Sequence, residues 1–273
     1  MRKAIVTGSF DDMRCSDFRF LEEASRHGEL HVFLWSDEVV RSLEGFSPKF
    51  PLEERLYLLQ AVRYVNQVHP VNQLADRDGL PIQVEPGTAV WVVNEKNDNP
   101  QKRSFCASNG IEYQLVKQAL LELFPKNHNI FLDDQSSNKK VVVTGCYDWF
   151  HSGHVRFFEE VSELGDLYVV VGSDKNVQFL KGQGHPMFPQ AERCYVVQSI
   201  RFVKQALISS GAGWMDAEPE IALIKPDIYA VNEDGDKPDK RGFCEAHGIQ
   251  YVVLKRIPKE GLPKRQSVDL RGF

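Results

Sequence analysis

Between Val143 and His154 the chain reads Val-Thr-Gly-Cys-Tyr-Asp-Trp-Phe-His-Ser-Gly-His. A β-branched run ends at Gly145 and a helical pattern starts at Gly153, so His151 and His154, three apart, stand on one face at the opening of a helix. The first N–H groups of a helix are unpaired and carry partial positive charge, and glycine lets backbone approach closely, so such a junction is built to hold an anion, above all a phosphate. A bare H-x-x-H is more often a pair of surface residues, or a chance metal pair, than a functional site. Set between strand and helix inside G-x-[F/Y]-D-x-x-H-x-G-H, the pair reads as phosphate-binding.

The elements that must position this junction occur twice. Thr7-Gly8-Ser9-Phe10-Asp11 recurs as Thr144-Gly145-Cys146-Tyr147-Asp148, an offset of 144 − 7 = 137, and Ser36-Asp37 recurs as Ser173-Asp174. After one inserted residue Glu54-Arg55 matches Glu192-Arg193, Val93-Asn94-Glu95 matches Val231-Asn232-Glu233, and Lys102-Arg103 matches Lys240-Arg241. This is a tandem duplication. The polar stretch Asp133–Lys140 is the expected linker, which gives domains 1–137 and 138–273.

Each copy is expected to run strand, helix, strand, helix, strand, helix, strand. In the second copy the expected strands are Lys140–Thr144, Leu167–Val171, Ile228–Val231 and Tyr251–Leu254, with helices at Val155–Ser162 and Pro189–Val203. The fold class is therefore α/β: two tandem Rossmann-like domains, each a mostly parallel sheet covered by helices on both faces. Ligands of such sheets bind at the carboxyl ends of the strands. Asn232, Glu233 and Asp234 follow the third of the expected strands at that edge, where a base or ribose should lie.

The chain has 33 basic and 38 acidic residues, a net charge of −5, which excludes a broad basic face for nucleic acid. No apolar run approaches the roughly 20 residues of a membrane span, and a cytoplasmic protein is expected. Cys15, Cys106, Cys146, Cys194 and Cys244 are odd in number and never spaced as C-x-x-C, so no disulfide framework or protein-held metal site is expected.

The residues Gly145-Cys-Tyr-Asp-Trp-Phe-His-Ser-Gly-His154, with Gly165-Asp166, Lys181-Gly182 and Glu192-Arg193, resemble the cytidylyltransferase-type nucleotidyltransferases over essentially all of 139–273, and more weakly over 3–116. The tandem arrangement is most like that of the phosphoethanolamine cytidylyltransferases. The resemblance implies attack of a phosphate-monoester oxygen on the α-phosphorus of a nucleoside triphosphate, with pyrophosphate leaving and Mg²⁺ as cofactor. His151, His154 and Lys181 are then the catalytic residues. Gly145, Cys146, Tyr147, Asp148, Gly153, Asn232, Glu233, Arg265 and Ser267 bind nucleotide, and His185 and Arg193 are candidates for the acceptor or a phosphate.

Arg265-Gln-Ser267 stands where the family has a closing phosphate clamp, with Val268 at a position where a hydroxyl is usual. CTP is preferred as donor and a phospho-alcohol as acceptor, in a monomer or homodimer. An adenylyltransferase acting on a sugar, vitamin or nucleotide phosphate is the alternative, followed by a non-catalytic nucleotide-binding protein.

In the first copy Arg14, Ser16, Asp17 and Glu44 stand in the places of His151, Gly153, His154 and Lys181. Carboxylates replace cations or donors, so that copy is expected to be catalytically silent. Arg14, Lys49 and Arg55 remain as candidates to hold a single phosphate.

Overall fold

Strands joined mainly by helices make up residues 2–123 and 136–270, the parts of the chain that the computed structural model describes, apart from the side chains of residues 268 and 269. Contacts divide the chain into two units, Met1–Phe124 and Pro125–Phe273. Of the expected linker, residues 133–135 lie outside the described residues. Ser136 and Asn138 bond to Asp166 of the second unit, at 2.8 and 3.0 Å.

The first unit runs β1 (Lys3–Gly8), α1 (Cys15–Ser25), β2 (Glu29–Trp35), α2 (Asp37–Glu44), α3 (Leu52–Ala61), β3 (Gln67–Val71), β4 (Ala89–Asn94), α4 (Pro100–Asn109), β5 (Glu112–Val116) and α5 (Gln118–Leu121). The second runs β6 (Lys140–Gly145), α6 (Ser152–Ser162), β7 (Asp166–Val171), α7 (Asp174–Lys181), α8 (Gln190–Gln198), β8 (Val203–Ile208), α9 (Glu218–Ile224), β9 (Ile228–Asn232), α10 (Pro238–Ala246) and β10 (Gln250–Leu254). Each unit holds one five-stranded sheet, all pairs parallel, in the orders β3-β2-β1-β4-β5 and β10-β9-β6-β7-β8. The sequence pattern predicts four strands. The fifth of the second sheet, β8, begins at Val203, where the expected helix was to end; that helix stops at Gln198.

Chain order reverses between β6 and β9, and a crevice opens there at the strands' carboxyl ends. Alternation along the strands sends Val142, Tyr168, Val170, Tyr229 and Val231 to one face, packed with Ile221 and Ile224 of α9 and Cys244 of α10. Right-handed crossovers put α6 and α8 on the other face. The crevice is therefore walled by α6 on one side and α10 on the other.

Two polar residues fasten the loops around each crevice. Arg193, 2% exposed, donates to the carbonyls of Phe188 (2.9 Å), Cys146 (2.6 Å) and Gly172 (2.8 Å) and to Asp174 Oδ1 (2.8 Å). Arg55 repeats the pattern on Phe50 O, Ser9 O, Trp35 O and Asp37 Oδ1. Asp148 accepts from the backbone N–H of Met187 (2.8 Å) and Phe188 (3.0 Å), as Asp11 does from Lys49 (2.6 Å) and Phe50 (2.9 Å).

With four of the five N–H donors of its planar fork engaged, Arg193 is a strut. Arg193→Met is expected to destabilise the second unit by roughly 3 kcal/mol or more, because several buried acceptors lose their donor together. Urea unfolding measures this, and a loss below about 1 kcal/mol, the worth of a single ordinary hydrogen bond, would remove the structural role.

Candidate functional site

The turn from β6 into α6 is set by Tyr147, whose φ of 54° is unusual for an aromatic residue. It folds the ring beneath Gly145, where a Cβ would come within 2.8 Å of the ring. The ring also meets His154 edge-on, with centroids 5.4 Å apart. Phe10 makes the same left-handed turn in the first unit, at φ 44°.

Two histidines then cap α6 reciprocally. His151 Nδ1 accepts from Gly153 N at 3.1 Å, and His154 Nδ1 accepts from His151 N at 3.3 Å. The ring centroids are 4.0 Å apart. A ring nitrogen that accepts an N–H bears no proton, so each neutral imidazole carries its proton on Nε2, on the side of the ring away from the helix backbone. His151 Nε2 is buried with no protein partner among the described residues. Gly153 is required by the same geometry, since a Cβ there would lie 2.9 Å from the His151 ring.

Burial is the main influence on both charges. It lowers His151 to about 3, helped by the nearby Arg256 and Arg265 charges. His154 is held well below the ordinary value, by burial first and then by His151, Arg256 and Lys181. Both rings are thus neutral at pH 7. What they can offer an anion is therefore an N–H dipole each, not a full positive charge.

A cavity of about 510 Å³ occupies the crevice. Of the expected residues, Gly145, Cys146, Tyr147 and Asp148 of the turn, Gly153 and His154 of α6, Lys181 and His185 beyond α7, and Asn232 and Ser267 all line it. Lys181, in the last turn of α7, is exposed. His185 Nδ1 lies 3.7 Å from Asp148 Oδ2. Ser267 donates to Trp149 O at 3.3 Å.

Four expected residues lie off the cavity wall. His151, 2% exposed, stands behind His154. Arg193 is the buried strut described above, its guanidinium bonded to loop carbonyls and Asp174 away from the cavity wall. Glu233 instead accepts from Arg256 N at 3.3 Å. Arg265 lines a smaller neighbouring cavity, and its carbonyl accepts from Arg256 Nη2 at 2.9 Å. The Val268 side chain lies outside the described residues.

The cation that does line the large cavity from this segment is Arg256, whose Nη1 is 2.7 Å from Asp234 Oδ2. Trp149, Phe157 and Lys240 also line the cavity and were not among the expected site residues, whereas Asp234 was expected at this edge. Strand edges carried a signal for Asp234 and Arg256, which lie two residues beyond β9 and two residues beyond β10.

The equivalent cavity of the first unit is about 160 Å³ and has Asp17 and Glu44 on its wall. Asp17 takes over the capping place of His154, accepting from Arg14 N at 2.7 Å. Burial raises the pKa of both carboxyls. Trp35 fills the place of Gly172 (35 + 137 = 172) and also lines this cavity. The cations considered for a phosphate are engaged elsewhere: Arg14 and Lys49 on Asp12, at 2.6 and 3.1 Å, and Arg55 on its carbonyls.

Known proteins resemble part of the chain. Residues 142–260 match the family described as cytidylyltransferase-like. The chain is 41% identical over 125 residues to the FAD synthase of Ferroglobus placidus, which covers 45% of this chain and 78% of that one. For the FAD synthase of Thermococcus kodakarensis the identity is 32% over 135 residues, covering 46% and 85%. The bifunctional protein HldE of Nitratiruptor sp. is 35% identical over 126 residues; the match covers 44% of this chain and 26% of that protein, about a quarter of its length. No described helix is long and apolar enough to cross a membrane.

The neutral histidines make stability depend on pH in a defined direction. Their folded pKa values lie below the unfolded value of 6.5, so below that pH the unfolded chain binds more protons, and stability present above pH 6.5 is lost as pH falls. Each ring contributes roughly 1 kcal/mol per pH unit in that window. Asparagine keeps an acceptor near the Nδ1 position without titrating, so the double variant His151→Asn/His154→Asn should lose stability less steeply between pH 6.5 and 5 than the wild type. The slope left over includes His31 and His69, whose pKa values burial also lowers, and is opposed by Asp17 and Glu44, whose pKa values burial raises. Denaturant titration at several pH values measures the difference, and equal slopes would mean that the pair is not buried neutral.

Proposed function

The chain belongs to the cytidylyltransferase-like family of nucleotidyltransferases, and on that basis we propose that its second unit transfers an adenylyl group from ATP to a phosphorylated small-molecule acceptor. The observation that carries this reading is the His151/His154 cap, two Nε2–H donors fixed at a helix N-terminus beside Lys181 and Arg256. Similarity to FAD synthases, whose product contains an adenylyl group, favours ATP over the CTP expected from the sequence motifs. It likewise weakens the case for a phospho-alcohol acceptor and for the phosphoethanolamine form.

In this reading an acceptor phosphate oxygen forms a bond to the α-phosphorus while the bond to the bridging oxygen breaks, and pyrophosphate leaves with the electron pair. The α6 N-terminus and the histidine N–H groups stabilise charge on the departing pyrophosphate, and the imidazoles hand over no proton. Arg256 takes the clamping place expected of Arg265. Lys181 neutralises the α-phosphate. Gly145, Cys146 and Tyr147 present backbone, and Asn232 faces the ribose or base.

Magnesium fits as an ion carried on the triphosphate. Asp148 is occupied by two backbone N–H groups, Asp234 is paired with Arg256, and among the described residues no three His, Cys, Asp or Glu side chains gather to form a cage. Mg²⁺ would then be held by phosphate oxygens and water, where it neutralises charge.

The first unit is non-catalytic in this proposal. Asp17 and Glu44 would face the triphosphate with like charge, costing several kcal/mol at an effective dielectric of about 20. Trp35, at the place of Gly172, also stands on the wall of the first unit's smaller cavity.

The test is pyrophosphate release with Mg²⁺, each nucleoside triphosphate, and a panel of phosphate monoesters that includes riboflavin 5′-phosphate, sugar phosphates and phosphoethanolamine. Release is expected with ATP, and His154→Ala should reduce it by about 10²-fold or more. Release with CTP alone would restore the cytidylyl reading. Nucleotide binding without release from any pair would favour a non-catalytic nucleotide-binding protein.

A further inference from the structure

Lys102 and Lys240 occupy the same position in the two units (102 + 138 = 240), yet they are held differently. Lys102 is 5% exposed; its Nζ donates to Asn97 O at 2.8 Å and lies 3.4 Å from Asp78. Asn99 caps the helix by accepting from Lys102 N at 2.9 Å. There the lysine is a staple.

None of those partners recurs in the second unit. Gly235 stands at the place of Asn97, and Lys237, which makes no side-chain cap, at the place of Asn99. The β3–β4 segment that carries Asp78 gives way, between β8 and β9, to one that carries α9. Lys240 Nζ has no carboxylate or carbonyl partner among the described residues. It lies 5.7 Å over the Tyr229 ring and lines the large cavity, with Lys237 as a cationic neighbour. A half-buried ammonium held by a ring face, with Asp216 and Asp234 acting on it only from beyond ion-pair distance, lacks most of what water would give it, and an incoming anion restores it.

Topology gives the side from which that anion arrives. The crevice lies between α6 and α10, on opposite faces of the sheet. In-line displacement puts the incoming oxygen on the far side of the α-phosphorus from the departing pyrophosphate. With pyrophosphate at the α6 N-terminus, the acceptor enters from the α10 side, where Lys240 ends.

We propose that Lys240 binds the phosphate of the acceptor and positions its oxygen for attack, an inference that rests on the transferase reading above. The ammonium stays protonated throughout and forms no bond to phosphorus. Burial and Lys237 lower its pKa in the ligand-free protein, and a bound phosphate opposes both effects.

The experiment uses the full chain with Mg²⁺ and the α,β-methylene analogues of ATP and CTP, which cannot be split at the reacting bond. Calorimetry measures binding of each analogue, then binding of inorganic phosphate to the protein saturated with the tighter one. Lys240→Met is expected to leave analogue affinity within about twofold and to weaken phosphate binding by about tenfold or more, and Lys240→Arg should recover most of it. Lys240→Gln, with thermal unfolding of every variant, guards against a folding defect in the first. Wild-type phosphate affinity in the Met and Gln variants would overturn the role of Lys240 and leave the transferase reading standing. Loss of analogue binding in those variants would assign Lys240 to the nucleotide and overturn the proposal. Failure of the wild type to bind either analogue would remove the transferase reading, and the proposal with it.

Discussion

The reciprocal cap at the start of α6 is the constraint on which the second unit's site depends. Each histidine spends Nδ1 on a backbone N–H, and this fixes its tautomer and its ring plane at once. Burial keeps both rings neutral, so the helix N-terminus gathers donors without gathering full charges. Tyr147 below and Gly153 beside the rings follow from the same geometry. One needs a left-handed turn to support the cap, and the other must lack a side chain to admit the His151 ring. An anion docking there meets dipoles already aligned, which is the condition under which electrostatic stabilisation is strongest.

Duplication separates what the scaffold needs from what the site needs. Arg55 and Arg193 engage equivalent acceptors, and Asp11 and Asp148 tie equivalent loops, so these residues hold the crevice in shape whatever it contains. The differences fall at the anion end, on the cavity wall and in the segment before the fourth strand of each unit, which carries α9 only in the second. Asp17 caps α1 with a carboxylate, Glu44 replaces a lysine, and Trp35, in place of Gly172, lines the smaller cavity. The first unit keeps the architecture and gives up the polarity that a triphosphate requires. Lys102 and Lys240 diverge in the opposite sense, one bound into the fold and the other turned to the cavity.

Much of this was legible in the residues. The repeat, the parallel α/β sheets and the strand–turn–helix anion site follow from spacing and apolar pattern. β8 was hidden because Val196, Val197, Ile200 and Val203 continue a helical spacing past the helix's end at Gln198, and a short buried strand looks the same as a buried helix segment by periodicity. Arg193 was misjudged because a buried arginine that saturates carbonyls and one that meets phosphate look alike in sequence. Recurrence in both copies was the available clue, since Arg55 survives where the histidines do not. The same clue misleads at Lys240, whose partners changed while the lysine stayed. Arg265 and Arg256 lie nine apart in a segment without regular structure, and which of them reaches the cavity is decided by folding of the strap.

The state of the two imidazoles can be observed directly. Nitrogen-15 chemical shifts of His151 and His154, followed from pH 8 to pH 5 in the ligand-free chain, report both tautomer and charge. Neutral rings protonated at Nε2, with no titration above pH 5, are the predicted result for both. A ring that is protonated on both nitrogens at pH 7, or that carries its proton on Nδ1, would contradict the reciprocal cap and the anion site built on it.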